Sequence, residues 1–219
     1  IISGNDAMNS FGSEESYAPP GAPVDGYTWC NDTTGVTCTT SWGTRVKVSI
    51  INARSSGDLT DFPVLVEVDG NRIDYSKTQN SGQDLRFVDP SNPDLALNHE
   101  IETWNESGMS YVWVKVPIVT GNQNNDYIWM YYNNGSASSP ATQLGTSAHE
   151  TGTWDSGYAA VYHMEESSGT TNADSTGNTN TGTKLSSGEP AAFTSGPIGA
   201  AQDFDGSNDY VRANDANSL

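Results

Sequence analysis

The chain has 219 residues and carries 27 Asp and Glu against 9 Lys and Arg, a formal net charge of −18. Such a field repels phosphate backbones and anionic membranes, so nucleic acid and acidic lipid are poor partners, whereas calcium suits the abundant carboxylate and carbonyl oxygens. A solubilising surface is the plainer role of the same charge.

The length allows one large domain or two small ones. Residues 1–40 read as a leader or linker, small, polar and proline-bearing up to about residue 26. Within it, Cys30 and Cys38 flank a Gly-containing polar loop, and as the two cysteines of the chain they are expected to pair as a disulfide in an oxidising compartment. No His or second cysteine pair lies near enough to favour a metal instead. No stretch approaches the ~20 apolar residues of a transmembrane helix, and no signal-peptide pattern opens the chain, as expected of a processed chain or a fragment.

From Arg45 the texture changes to short alternating runs. Val46, Val48 and Ile50 alternate with Arg45, Lys47 and Ser49; Phe62, Val64, Val66 and Val68 share a face, with Pro63 marking an edge or a strand entry. "DLRFVDP" predicts a third strand, and "HEIETWNESGMSYVWVKVPI" two more joined around Asn105–Gly108. "DYIWMYY" follows. With no convincing amphipathic helix, the expectation for residues 41–155 is an all-β antiparallel sandwich, jelly-roll-like. Residues 145–155 are linker-like. Beyond them, residues 156–219 form a short partial β block, with a strand expected over 159–164 and another over 201–212 bent at Asp205-Gly206. So few strands cannot close a sandwich, so this block is either incomplete or completes the first domain.

Two family resemblances rest on these runs. "WGTRVKVSI", "LTDFPVLVEV", "GQDLRFVD", "LNHEIETWN", "VWVKVPIV", "YIWMYYNNGSA" and "TWDSGYAAVYHMEE" resemble, in order, the bacterial and archaeal surface-protein domain DUF2341. "VYHMEESSGTTNADSTGNTNTGT" followed by "GPIGAAQDFDGSNDYV", within residues 158–211, resembles the opening of a LamG-like, concanavalin A-type jelly roll. The first implies an extracellular or cell-envelope module with no assigned reaction; the second implies a ligand-binding lectin fold, often with bound calcium.

Three groups of residues could carry chemistry. Glu100 and Glu102 lie on one face of a strand, Cα atoms roughly 6.5–7 Å apart, near the spacing of a glycosidase pair. The jelly-roll glucanase run E-x-D-x-x-E is nonetheless missed, because Glu102 stands for the Asp and Glu106 falls late, in a turn. His99, His149 and His163 are too scattered for a local metal motif, and no nucleophile elbow, phosphate loop or CxxC pair occurs. Tyr111, Trp113, Tyr127, Trp129 and Tyr131 are the candidate ligand-binding residues: if their strands pair, the rings share one sheet face, a stacking platform for sugars when exposed and core packing when covered. For calcium, "NADSTGN" offers Asp174 and Asn178, with Asp203, Asp205 and Asp209 nearby; an Asx-rich turn explains the same residues. Asn31, Asn105 and Asn134 head N-x-S/T triplets.

The expected function is a non-catalytic extracellular or cell-surface module for adhesion, carbohydrate binding or surface-structure assembly, with glycans or neighbouring subunits as partners. One alternative is a subunit of an extracellular filament, a homopolymer assembled by strand exchange. Another is an accessory or catalytic part of a polysaccharide-degrading enzyme.

Overall fold

The computed structural model describes residues 10–11, 15–16, 42–52, 56–92, 95–138, 151–186, 188–193 and 195–214. Cys30, Cys38, Asn31 and His149 lie outside the described residues. The chain divides into two compact units, Ile1–His149 and Glu150–Leu219.

The first unit is all β, as the alternating runs predict. Two short strands, β1 (Ser10–Phe11) and β2 (Glu15–Ser16), precede β3 (Thr44–Asn52), β4 (Leu59–Val68), β5 (Arg86–Val88), β6 (Ala96–Leu97), β7 (His99–Thr103), β8 (Ser110–Val119) and β9 (Gln123–Tyr132). One antiparallel sheet runs β1-β3-β9-β5-β6, with β2 also on β3; the other runs β4-β8-β7. Period-two alternation sets the layers, because every second side chain of each strand points to the same side. Val46, Val48, Ile50, Ile128, Met130, Tyr132, Phe87 and Leu97 of the first sheet form one buried cluster with Val64, Val66, Val68, Val112, Val114 and Val116 of the second. Each such side chain contributes roughly 1.5–3 kcal/mol by leaving water. Pro63 sits on β4, the edge strand, where its missing N–H breaks no ladder.

A shared aromatic platform required β8 and β9 to pair, and both alternate valines or aromatics with polar residues. Instead β8 pairs with β4 and β7, and β9 with β3 and β5. The short link is an arch between sheets: Asp126 takes the Thr120 backbone N–H and hydroxyl, and Gly121 donates to Asp58. Alternation is identical whether two strands pair side by side or face each other across a core, so the pattern does not distinguish them.

Among the described residues the second unit has a 3-10 turn at Thr151–Thr153 and short strands: β10 (Thr171–Asn172), β11 (Gly182–Lys184), β12 (Ala191–Phe193), β13 (Ala201–Asp203) and β14 (Val211–Arg212). They form antiparallel sheets β10-β11-β14 and β12-β13. The run expected as one bent strand over 201–212 is thus two strands in different sheets, parted by a turn with Gly206 at φ 78°. Residues 159–164 make no ladder; one backbone bond, from the Ser175 N–H to the Val161 carbonyl at 2.9 Å, is joined there by side-chain bonds. Asp174 accepts the Val161 N–H, and the Asn178 and Asn180 amides donate to the Ala159 carbonyl.

Candidate functional site

The five aromatic residues, one platform only if their strands paired, lie on two sheets. On the outer face of the first, β3 and β9 pair in the register Arg45↔Tyr131, Lys47↔Trp129, Ser49↔Tyr127. Because that register puts both cations at the same parity as the rings, they interleave. The Arg45 guanidinium lies 3.9 Å from the Trp129 ring centroid, Lys47 Nζ lies 4.2 Å from that of Tyr127, and Arg45 donates to the Tyr131 hydroxyl at 3.5 Å. Tyr127 and Trp129 meet edge to face at 5.6 Å. The result is a cation–π ladder in which ring faces are already covered by cations of the chain itself.

Beside the ladder, Tyr131 joins Trp42, Val88 and Ala137 in a second small core. A buried polar hub supports it. Asp84, wholly buried, accepts the backbone N–H groups of Gln79, Asn133 and Asn134 at 2.9–3.0 Å, while its carbonyl accepts the Trp42 indole N–H at 2.6 Å. Asn133 can present its N–H this way because it adopts φ 69°, a left-handed conformation that Asn tolerates. Arg86 donates to the carbonyls of Gln83, Leu85 and Ser138 and lies 5.1 Å from the Trp42 ring centroid. Burial pulls its pKa down to about 10, against the opposing pull of Asp84. The sequence offered no sign of this hub beyond two charges inside an otherwise apolar strand run.

The second sheet presents the other strip. On β8, Tyr111 stands between Glu67 and Thr103, Trp113 between Leu65 and Glu100, and Lys115 opposite Pro63. A register shift between Ile101 and Thr103 leaves Glu102 as the extra residue of β7, and its carboxylate accepts the Trp113 indole N–H at 2.9 Å. Glu100 and Glu102 therefore bracket one indole on a half-exposed face. Glu106 accepts the Trp104 indole N–H at 3.4 Å, in the turn after β7. His99 points the opposite way: it is 2% exposed, edge-on to Phe87 at 5.0 Å, with Nδ1 3.3 Å from the Leu97 carbonyl. It is a core residue, parted from the glutamates by the sheet itself.

In the second unit, Asp174 is the centre of the "NADSTGN" loop. Its Oδ1 accepts Val161 N–H at 3.0 Å and Thr176 N–H at 2.9 Å; its Oδ2 accepts the Thr176 hydroxyl at 2.9 Å and Asn180 N–H at 2.7 Å. Desolvation raises its pKa, but the N–H donors from Thr176, Val161 and Asn180 together outweigh that and hold it below the usual value. Asn178 directs its amide N–H groups at the Tyr158 and Ala159 carbonyls. Both behave as loop-fastening side chains, the Asx reading of this motif. Asp203 is exposed on β13, and Asp205 and Asp209 close the following turn, Asp209 accepting the Asp205 N–H and Asp205 that of Ser207. Glu189, not singled out from the sequence, comes up against them: its hydrogen bond with Asp209, then the charges of Asp209 and Asp205, raise its pKa. Among the described residues, no three His, Cys, Asp or Glu side chains converge into a metal-holding group. His163 lies 5.8 Å from Trp154, ring to ring.

Of the glycosylation triplets, Asn105 is exposed, while Asn134 is 5% exposed with its Nδ2, the atom a glycan would occupy, shut from solvent. Among the described residues no helix is long and apolar enough to cross a membrane. Neither a curated protein nor a solved structure matches the chain. A family model does: residues 81–180, running from β5 of the first unit through the Asp174 loop of the second, match the domain of unknown function DUF2341.

Proposed function

We propose that this chain is a non-catalytic module of an extracellular or cell-surface protein, serving adhesion through contact with carbohydrate on the β7–β8 face. The observation that carries the reading is the fixing of one indole on that face: Trp113 donates its N–H to Glu102 at 2.9 Å, with Glu100 paired beside it on β7 and Lys115 two residues on along β8. An indole fixed at its edge by a carboxylate, amid polar groups that bond hydroxyls, is the arrangement on which sugar rings stack. The net charge of −18 and the Asx-fastened loops suit an exposed module. On the same reading, residues 158–211 are the opening of a LamG-like fold.

A glycan array probed with and without calcium tests this. Binding lost in Trp113→Ala and kept in Trp129→Ala is the expected result. Binding unaffected by Trp113→Ala, or no binding to any glycan, overturns the carbohydrate reading. Release of reducing sugar that Glu100→Gln abolishes would make the module an enzyme instead.

A second reading has its own support. The leader supplies β1 and β2, which pair with β3 through Ser10↔Ser49, Phe11↔Val48, Glu15↔Arg45 and Ser16↔Thr44. The same register is open to a neighbouring copy's leader, which would make the chain a filament subunit joined by strand exchange. Sedimentation of long polymers, lost on deleting residues 1–40, is the outcome that favours it; a monomer at all concentrations refutes it.

A further inference from the structure

The β10-β11-β14 sheet brings a buried amine and a buried carboxamide together on one face. Asn172 is 0% exposed and Lys184 4% exposed, and they belong to neighbouring antiparallel strands. Asn172 is paired with Gly182, so Lys184, two residues on, is its diagonal neighbour on the same face, roughly 7–8 Å away and within reach of a long side chain. Gly182 between them has no side chain to intervene: a Cβ there would come within 3.4 Å of that of Asn172 and 2.5 Å of the Val211 side chain. Glu166 touches both partners. Its Oε2 accepts the Asn172 amide N–H at 2.6 Å, and its backbone carbonyl lies 3.5 Å from Lys184 Nζ. The Asn172 carbonyl oxygen, Oδ1, is buried with no hydrogen-bond partner. A buried amine, a buried carboxamide with an unmatched oxygen and a carboxylate in contact with its nitrogen are together the reactants and the proton carrier of an amide-forming step.

We propose that Lys184 and Asn172 become joined by an intramolecular isopeptide bond, with Glu166 as the proton carrier. The Lys184 ammonium gives a proton to the Glu166 carboxylate, and the freed amine attacks Cγ of Asn172. A bond forms between Nζ and Cγ, the Cγ–Nδ2 bond breaks, and Nδ2 takes up protons from the amine and from Glu166. It leaves as ammonium, and Glu166 returns to its carboxylate form. No oxidant or co-reactant is needed, because amine and carboxamide exchange one amide for another. Burial serves the step by excluding water that would compete for Cγ, and the fixed sheet register supplies the approach.

The bond also answers a deficiency of this unit. Among its described residues the one buried hydrophobic side chain is Trp154, and small units with so little apolar core are held by covalent staples or metals. The bridge would close the segment from 172 to 184, which contains Asp174, Thr176 and Asn180, the residues that fasten the 159–164 stretch.

Mass spectrometry of the denatured full chain tests this directly. The expected result is a mass lower than the sequence mass by one ammonia, and a digest in which the peptides bearing Asn172 and Lys184 are recovered as one branched species. Lys184→Arg and Glu166→Gln should each restore the full sequence mass, with far-UV dichroism showing that the strands persist. A full-mass wild-type chain, or ammonia loss with Asn172 and Lys184 recovered in separate linear peptides, overturns the proposal.

Discussion

Replacing Asp174 by Ala removes the acceptor of four hydrogen bonds at once. Three come from the backbone N–H groups of Val161, Thr176 and Asn180 and one from the Thr176 hydroxyl. Hydrogen bonds to a charged group contribute about 1.5–3 kcal/mol each, but the carboxylate is partly exposed and water replaces some of them. We therefore expect a loss of about 2–4 kcal/mol. For a unit of this size, 1 kcal/mol corresponds to roughly 4–8 °C in melting temperature, so its transition in the full chain should fall by about 8 °C or more, or vanish. Asp174→Asn keeps one acceptor oxygen and should lose about half as much. The folded pKa of Asp174 is lowered, so its contribution is complete above the unfolded carboxylate pKa of about 3.9 and is lost as pH falls through the folded value. The Asn variant should flatten that acid limb. Denaturant unfolding followed by tyrosine and tryptophan emission between acid and neutral pH measures both effects. A change under about 0.5 kcal/mol for Asp174→Ala would refute the fastening role. So would a calcium-dependent stability that disappears in Asp174→Asn, because the oxygens would then be holding a cation.

Two further outcomes follow from named contacts. A double-mutant cycle on Arg45→Ala and Trp129→Ala, read by chemical denaturation, should return a coupling of about 0.5–2 kcal/mol, as expected for a guanidinium over an indole; no coupling would mean the rings are not covered by their cations. Glu189→Gln should remove a pH dependence of opposite sign to that of Asp174: the Glu189 pKa is raised above 4.5, so its contribution is present at low pH and lost as pH rises through the folded value. Thermal melts that stay equally pH-sensitive in the variant would dismiss the Glu189–Asp209 hydrogen bond.

The strands were legible because alternation is a local property. Val46, Val48, Ile50, Val112, Val114 and Val116 announce a buried face whatever lies opposite them, and the structure buries all six. Strand partnership is not local, and the sequence left it open: β8 and β9 carry the same texture and a short link, and they enter different sheets. The candidate platform went with it. Arg45 and Lys47 were visibly alternating, but only the register with β9 places them over Trp129 and Tyr127. The Asx character of "NADSTGN" was visible too, whereas the bond from Asp174 to Val161, 13 residues upstream, depends on a loop closure that composition does not encode. In the second unit the strand expected at 159–164 failed for the same reason, since side-chain amides there do what a ladder was expected to do.

The two units solve the same problem with different chemistry. In the first, valines on facing sheets exclude water, and polar groups such as Asp84 and Arg86 are tolerated inside because backbone partners surround them. In the second, apolar burial is scarce, and order rests on directional bonds from Asp174, Glu166, Asn172 and Asn180, each of which competes with water wherever the loop opens. A fold fastened this way is the more sensitive to local opening, because no single contact restores the rest. A covalent link at Lys184 would change that balance by holding the loop ends together through each opening, so hydrogen exchange should be slowed most between 172 and 184 relative to Lys184→Arg. Equal exchange in that segment with the bond present would mean that the polar network alone sets its stability.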